Sequence, residues 1–325
     1  MRGVRFDEFG GPDVLRLVEL EVPEPGVGEI SIDVEYVGVN FADLQARTIG
    51  YRVPGLPFVP GVELSGRVRA IGAGVEGVTA GQPVAAITDG GAYAEVAVVP
   101  AAKVFAVPEG IDLRTAATLP TVLPTAYALV HTVGRLQPGE TVLVQAAAGG
   151  VGTVAGQIAK LAGAGAVYGV VSSAAKADYA RKVGYDDAFL TEAFDDEVRR
   201  ATDGRGVDLV LDSIGGQTLR RGLESLARFG RLVSYGNAGG ESAWKVGAPE
   251  LFPQGRTVSG FSILELSASA PEVLHDIAAR AFELVTTGDV ELSITAEFPL
   301  AEAADAHRLM EGRTSTGKLL LAING

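Results

Sequence analysis

The sequence contains no cysteine. That absence excludes disulfides, a cysteine nucleophile and every thiolate zinc site. Histidine is almost as scarce: His131, His275 and His307 stand far apart, so a metal site built from them is not expected, and they read as ordinary helix-surface residues. Positive charge is also in short supply, with 27 Lys and Arg against 40 Asp and Glu and a formal charge of −13. Such an acidic surface repels nucleic acid and anionic membranes, yet leaves room for a local basic pocket that takes a small anion. No apolar run approaches the ~20 residues of a spanning helix. Met1–Gly10 reads as a strand entering a turn, without the charged leader and apolar core of a signal peptide. The expectation is a soluble, cytoplasmic protein with no nucleic-acid or membrane partner.

Apolar residues and glycine are plentiful. Hydrophobic residues make up 47% and charged residues 21%, as in an ordinary well-packed globule. The 325 residues exceed what one core usually serves, so two domains are expected. The 43 glycines follow no collagen-like period and cluster after apolar runs, as turn and phosphate-loop glycines do.

Two textures divide the chain. Residues 1 to about 118 are short strand-like runs (29–39, 64–71, 82–88 and 94–99) broken by Gly and Pro, which points to a mostly antiparallel β-domain resembling a small barrel. From Leu119 onward, apolar strands alternate with helical segments: 141–145 then 150–161, 166–171 then 174–183, 207–212, then 217–228 and 231–235. That alternation implies βαβ crossovers and a parallel, doubly wound sheet. The last segment, with strand-like 292–298, a helix at 301–311 and a strand at 318–323, returns to the first texture. The expected division is 1–120 with 266–325, and 121–265.

The strongest local signal is the run from Val142 to Thr153, in which an apolar strand enters a small-residue turn and a helix follows at once. Ala147, Gly149 and Gly152 keep the G-x-G-x-x-G spacing with alanine first. Small residues there let the backbone approach a pyrophosphate, whose charge sits on the free N–H groups of the helix start. A glycine triplet alone is weak evidence in a Gly-rich chain. Its place between strand and helix, inside a βαβ repeat, is the context that matters. The next strand ends in Gly169-Val-Val-Ser-Ser-Ala-Ala-Lys176, with no carboxylate to hold ribose hydroxyls. Ser172, Ser173 and Lys176 suit a 2′-phosphate, so NADPH is expected rather than NADH, unless Lys176 is only a solvated helix residue.

Together with Phe9–Leu15, Gly38–Asp43, Pro60–Gly66, Gln145–Gly152, Val233–Asn237 and Thr316–Lys318, these residues resemble the zinc-independent quinone oxidoreductase branch of the medium-chain dehydrogenase/reductase superfamily. The resemblance spans nearly the whole chain. It implies an α/β fold with a GroES-like β-barrel catalytic domain, discontinuous in sequence, and a Rossmann doubly wound parallel sheet. Zinc-dependent relatives carry a cysteine where this chain has Asn40 and a histidine where it has Val62, and their structural-zinc lobe has no counterpart here. No metal is therefore expected.

The resemblance also assigns roles. Asn40, Asp43 and Tyr51 would border the nicotinamide and substrate pocket. Thr125 and Tyr127 would flank the nicotinamide, and Asn237 and Phe261 would lie near it. Ala147, Gly149, Gly150, Val151, Gly152, Ser172, Ser173 and Lys176 would hold the phosphates and adenosine end, and Lys318 is grouped with the cofactor residues. Two positions depart from the family: Thr191 and Gln45 stand where relatives often have tyrosine. Read from the residues alone, Asn40 is equally a turn former, Asp43 a helix-start acid and Tyr51 a packing residue.

Three functions follow. The first is NADPH-dependent hydride transfer to a quinone. The second is reduction of an enone, enal or enoyl thioester, which needs a proton at the α-carbon and gains from a positioned acid. Tyr51 is the expected donor, with Asn40 or Tyr127 orienting the carbonyl. The third is an NADPH-binding protein without redox turnover. A homodimer through the strand within Arg256–Ile263 is expected if that strand lies at a sheet edge rather than inside the sheet.

Overall fold

The computed structural model describes residues 1–241 and 245–324. Two compact units form: Met1–Pro124 with Ile263–Gly288 and Leu292–Gly325, and Thr125–Ser262 with Asp289–Glu291. The junctions expected at 120 and 265 thus fall at 124 and 262. The change of texture at Leu119 marks the start of a helix, and the first unit keeps that helix's first six residues.

The first unit opens with β1 (Arg2–Arg5) and β2 (Arg16–Glu19), an antiparallel pair. The long β3 (Glu29–Val39) leads directly into α1 (Phe41–Ile49). Then come β4 (Glu63–Ile71), β5 (Pro83–Ile87), β6 (Val96–Pro100) and β7 (Val104–Ala106), followed by α2 (Leu113–Ala116) and α3 (Leu119–Tyr127), which crosses the junction. Ile30, Ile32, Val37, Val39, Leu64 and Val99 are buried from these strands into one core.

The second unit carries β8 (Thr141–Gln145), α4 (Gly150–Leu161), β9 (Ala166–Val171), α5 (Ala174–Lys182), β10 (Asp187–Leu190), α6 (Phe194–Ala201), β11 (Val207–Asp212), α7 (Gly216–Glu224), β12 (Leu226–Ser234), α8 (Ala248–Leu251) and β13 (Thr257–Gly260). Its sheet runs β10-β9-β8-β11-β12-β13, every pair parallel. Strand order reverses between β8 and β11, and ligands of such sheets bind beyond the carboxyl ends at that reversal. Val142, Leu143 and Val144 are fully buried, as a strand covered on both faces requires. The helix expected to reach 228 ends at Glu224, because Leu226 already pairs with Val207 and starts β12. The strand β13 is the last of the sheet, so it is an edge and not an interior strand.

The chain then returns through α9 (Ile263–Ser269), α10 (Pro271–Thr286), β14 (Ile294–Pro299), α11 (Ala303–Glu311) and β15 (Lys318–Ala322). The first unit's sheet is ordered β14-β15-β3-β4-β5-β7, with β6 also on β3, and only β14 with β15 is parallel. Because Leu319 pairs with Val39 across β15 and β3, Lys318 lies at the end of β3 where α1 begins.

Candidate active site

The cofactor loop belongs to the second unit. Helix α4 starts at Gly150, and its N-cap Gly149 contributes no side-chain cap, so the first-turn N–H groups are left for a ligand. The approach to the loop is tight. Ala146 sits at a positive φ of 51°, and the Gly149 N–H donates to its carbonyl at 2.9 Å. A side chain at Gly152 would put its Cβ 2.3 Å from the Ala146 oxygen and 2.7 Å from the Ala147 Cα, so only glycine lets α4 pack against this turn. Gly150 and Val151 are half-buried at the helix start, and Ala147 is buried. This cradle fits a pyrophosphate.

At the end of β9, Ser172 and Ser173 are exposed, with Lys176 half-buried one turn on. The Ser173 hydroxyl accepts the Lys176 N–H at 3.4 Å and so caps α5. Asn237 is exposed and donates to the Glu241 carbonyl at 3.0 Å. The Phe261 N–H donates to the Ser234 carbonyl at 3.0 Å. Thr125 is buried, and Tyr127 stacks on His131 with ring centroids 4.4 Å apart.

In the first unit, α1 organises two buried polar networks. The first surrounds an ion pair. The Lys318 ammonium donates to Glu63 Oε1 at 2.6 Å, Asn40 Oδ1 at 2.9 Å and the Val39 carbonyl at 3.2 Å. Lys318 is 4% exposed and Glu63 is fully buried. The Asn40 amide donates to Glu63 Oε1 at 2.8 Å and the Gly38 carbonyl at 3.1 Å, while its oxygen also lies 3.3 Å from the Thr121 hydroxyl. Glu63 Oε2 accepts the Thr121 N–H and hydroxyl at 3.0 and 2.6 Å. A Cβ at Gly38 would lie 2.2 Å from Glu63 Oε1, so the bare backbone makes room for the carboxylate.

Lys318, grouped with the cofactor residues in the sequence, has all three of its ammonium protons on buried partners within its own unit. Both amide hydrogens of Asn40 are likewise engaged, leaving no donor for a substrate carbonyl. The geometry also bears on zinc. An ammonium already lies against Asn40 and Glu63, a poor setting for a dication, and among the described residues no group of three or more His, Cys, Asp or Glu side chains could hold a metal.

The second network is a chain of side chains behind Asp43. Asp43 Oδ2 accepts the Asn40 N–H at 2.8 Å, the carboxyl half of a capping box. The Tyr93 hydroxyl lies 3.5 Å from that same oxygen and 3.0 Å from His307 Nε2, and Arg47 Nε donates to His307 Nδ1 at 3.3 Å. Arg47 also donates to the Gly10 carbonyl and pairs with Glu311. Since an arginine Nε–H can only donate, His307 Nδ1 must accept and the ring proton stands on Nε2, facing Tyr93. The tyrosine hydrogen is then free for Asp43. Burial, with Arg47 adding to it, pushes the His307 pKa down to about 3. Burial raises the Asp43 pKa to about 7, against the lowering effects of the Asn40 N–H and Lys318. It also raises the Tyr93 phenol well above its ordinary range, and the Asp43 charge adds to that. His307 is thus a fully buried link and not the surface residue expected from the sequence.

Asp43 and Tyr51 line one pocket of this unit with ≈ 300 Å³ of open space, part of it continuous with solvent. Phe58, Val62 and Leu264 supply its apolar wall, and Arg52, Thr88 and Asp89 its polar side. Arg52 pairs with Asp89 at 3.6 Å and with Glu265. Sequence reasoning missed Glu63, Arg47, Tyr93 and His307. The one available signal was a charge at the head of a strand, as Glu63 opens β4 and Lys318 opens the otherwise apolar β15.

Comparison with known proteins agrees with this arrangement. Residues 26–109 match the alcohol dehydrogenase GroES-like domain, and residues 150–279 match the family described as zinc-binding dehydrogenase. A quinone oxidoreductase of Pseudomonas aeruginosa is 36% identical over 98% of each chain. A 2-haloacrylate reductase of a Burkholderia species is 34% identical over 96% of each. The crystal structure of Escherichia coli quinone oxidoreductase complexed with NADPH superposes with a TM-score of 0.93 at 32% identity, covering 99% of this chain and all of that one. With the GroES-like and dinucleotide-binding halves both matched, and a lysine ammonium against Asn40 and Glu63, the chain belongs to the zinc-independent quinone oxidoreductase branch of the medium-chain dehydrogenase/reductase superfamily.

Proposed function

We propose that this protein is a zinc-independent, NADPH-dependent oxidoreductase that reduces quinones. The observation that carries this reading is the uncapped start of α4, cradled by Ala147–Gly152 at the carboxyl end of β8. When bound, NADPH supplies the hydride. Gly150 and Val151 offer backbone N–H groups to the pyrophosphate, Gly149 turns the chain to present them, and Gly152 lets the helix start approach it. Ser172, Ser173 and Lys176 offer hydroxyls and a cation to the 2′-phosphate, and the segment from Gly169 to Lys176 contains no carboxylate to repel it. Thr125, Tyr127, Asn237 and Phe261 complete the nicotinamide side of the second unit. The NADPH bound by the Escherichia coli relative supports the same choice of cofactor.

A second acceptor class has its own support. The pocket beside Asp43 and Tyr51 contains ionisable groups, which an enone or haloacrylate needs for α-carbon protonation and a quinone does not. The 2-haloacrylate reductase relative points the same way. Among the described residues no helix is long and apolar enough to cross a membrane, and a cytoplasmic setting is part of the proposal. A homodimer through the free edge of β13 completes it, and a stable monomer in light scattering would remove that part.

The deciding assay follows the loss of reduced-nicotinamide absorbance with simple quinones, enones, enals and an enoyl thioester, each with NADPH and with NADH. Turnover with NADPH and a quinone supports the first reading, and preference for an enone or enoyl thioester the second. Tight NADPH binding with no turnover on any acceptor would refute both and leave a non-redox NADPH-binding protein.

A further inference from the structure

The buried chain behind Asp43 is not needed to bind a dinucleotide, and it ends on a residue that lines the first unit's pocket. Asp43 is fully buried, and Oδ2 is held by the Asn40 N–H and the Tyr93 hydroxyl. Among the described residues Oδ1 is buried and makes no hydrogen bond of ordinary geometry; the Gly61 N–H only approaches the carboxylate and favours its charge weakly. A buried carboxyl oxygen left unpaired is costly unless it carries a proton or meets a ligand. We propose that Asp43 is the proton donor of the reduction, a carboxylic acid with its proton on Oδ1, and that Tyr93, His307 and Arg47 are positioning residues that hold its other oxygen.

The proposal rests on the NADPH-dependent reductase reading. After hydride uptake the acceptor is an anion, a quinol anion or an enolate. The Oδ1–H bond of Asp43 breaks and a new O–H or α-carbon C–H bond forms. The electron pair of the broken bond stays on Asp43, whose carboxylate is steadied by the Asn40 N–H and the Tyr93 O–H. Asp43 has no exposed surface at rest, so the transfer and the return of a proton from solvent both need the pocket wall over Oδ1 to open.

The groups around Asp43 explain why the acid form is available near neutrality. Lys318 favours the carboxylate and Glu63 opposes it, the Asn40 and Gly61 N–H groups favour it, and burial outweighs them all, holding the pKa at about 7. Arg52 and Asp89 share the pocket and pair with each other. Beyond Tyr93, His307 stays neutral beside Arg47, whose charge is met by Glu311. Tyr51, the donor expected from the sequence, lines the same pocket but is 39% exposed and has no such chain behind it.

Two measurements test the proposal. The first is the carboxyl-carbon NMR titration of aspartate-labelled protein without substrate, with Asp43 assigned by its absence in Asp43→Asn. Titration near pH 7 supports the proposal, and titration near the ordinary value of about 4 overturns it whatever the enzyme reduces. The second is the pH profile of kcat on an enone. Wild type should lose activity as pH rises through about 7, and Asp43→Asn should lower kcat by roughly 10²–10⁴-fold with NADPH affinity unchanged. Tyr93→Phe, which removes a donor to the carboxylate, should move the falling limb upward by roughly one pH unit while the fold persists. An Asp43→Asn variant with wild-type kcat and profile, or a Tyr93→Phe profile that does not move, overturns the assignment. Absence of NADPH turnover in the wild type overturns the reductase reading beneath it.

Discussion

Asp43 and His307 are both fully buried and both perturbed, but in opposite senses, and their effects on stability should cancel until one is removed. The Asp43 carboxyl binds its proton more tightly in the folded state, with a pKa of about 7 against 3.8. Its contribution is therefore fully favourable below 3.8 and is lost as pH rises through about 7. His307 is the reverse, at about 3 against 6.5, so its contribution is present above 6.5 and is lost as pH falls toward 3. One proton of linkage changes stability by about 1.4 kcal/mol per pH unit. Between about pH 4 and 6.5 the two slopes oppose each other and nearly offset. Asp43→Asn leaves the histidine term alone, so the variant should lose about 3 kcal/mol relative to wild type as pH falls across that window. His307→Gln leaves the carboxyl term alone and should gain a similar amount. The assay is hydrogen exchange of the β3 and β4 amides at several pH values, corrected for intrinsic exchange, which reads the first unit directly. What matters is the difference between variant and wild type, in which the other titrating groups drop out. Difference curves parallel to the pH axis, or both sloping the same way, would refute the reasoning.

Three further outcomes follow from the geometry. Gly152→Val should abolish NADPH binding in calorimetry and cost about 1–3 kcal/mol of stability, because its Cβ alone collides with the Ala146 and Ala147 backbone. Lys176→Ala should weaken NADPH binding roughly tenfold, the worth of one charge-assisted contact, and leave NADH affinity unchanged; equal loss for both would remove the 2′-phosphate role. Lys318→Met should destabilise the first unit by about 3–5 kcal/mol by leaving Glu63 buried and uncompensated, whereas an unchanged melting curve would show that the pair does not hold the start of α1.

The second unit was the more legible in the sequence. Its strands and helices are local, with periodicities that switch cleanly, and β8, α4, β9 and β11 lie where the apolar runs and the glycine loop place them. The NADPH preference could likewise be argued from a dozen contiguous residues. The first unit's strands were visible too, β3 to the residue, but its chemistry was not. Arg47 meets His307 across 260 positions and Lys318 meets Glu63 across 255. Nothing in the neighbourhood of either lysine or histidine signals a partner so distant. A lysine at the head of Leu-Leu-Leu reads as a solvated strand end until β15 is known to pair with β3. The same gap in sequence made Tyr51 look like the better acid: it stands beside a recognisable loop, whereas the pKa of Asp43 is set by burial, against the Asn40 N–H and the distant Lys318 on β15, with Glu63 at the head of β4 adding to it.

Asn40 joins the two networks, and this gives the site its economy. Its backbone N–H holds Asp43, and its side chain is locked between Lys318, Glu63, Gly38 and Thr121. The start of α1 therefore cannot turn without breaking buried hydrogen bonds in both networks, so Asp43 stays fixed against the pocket. The charges follow the same plan. Glu63 and Lys318 neutralise each other, and their opposed pulls on Asp43 leave burial in control of its proton. A cation without its carboxylate would drag Asp43 toward the ionised form, and a carboxylate without its cation would lock the proton on. The ion pair thus does more than brace a helix start: its balance is what keeps the pocket's acid within reach of neutral pH.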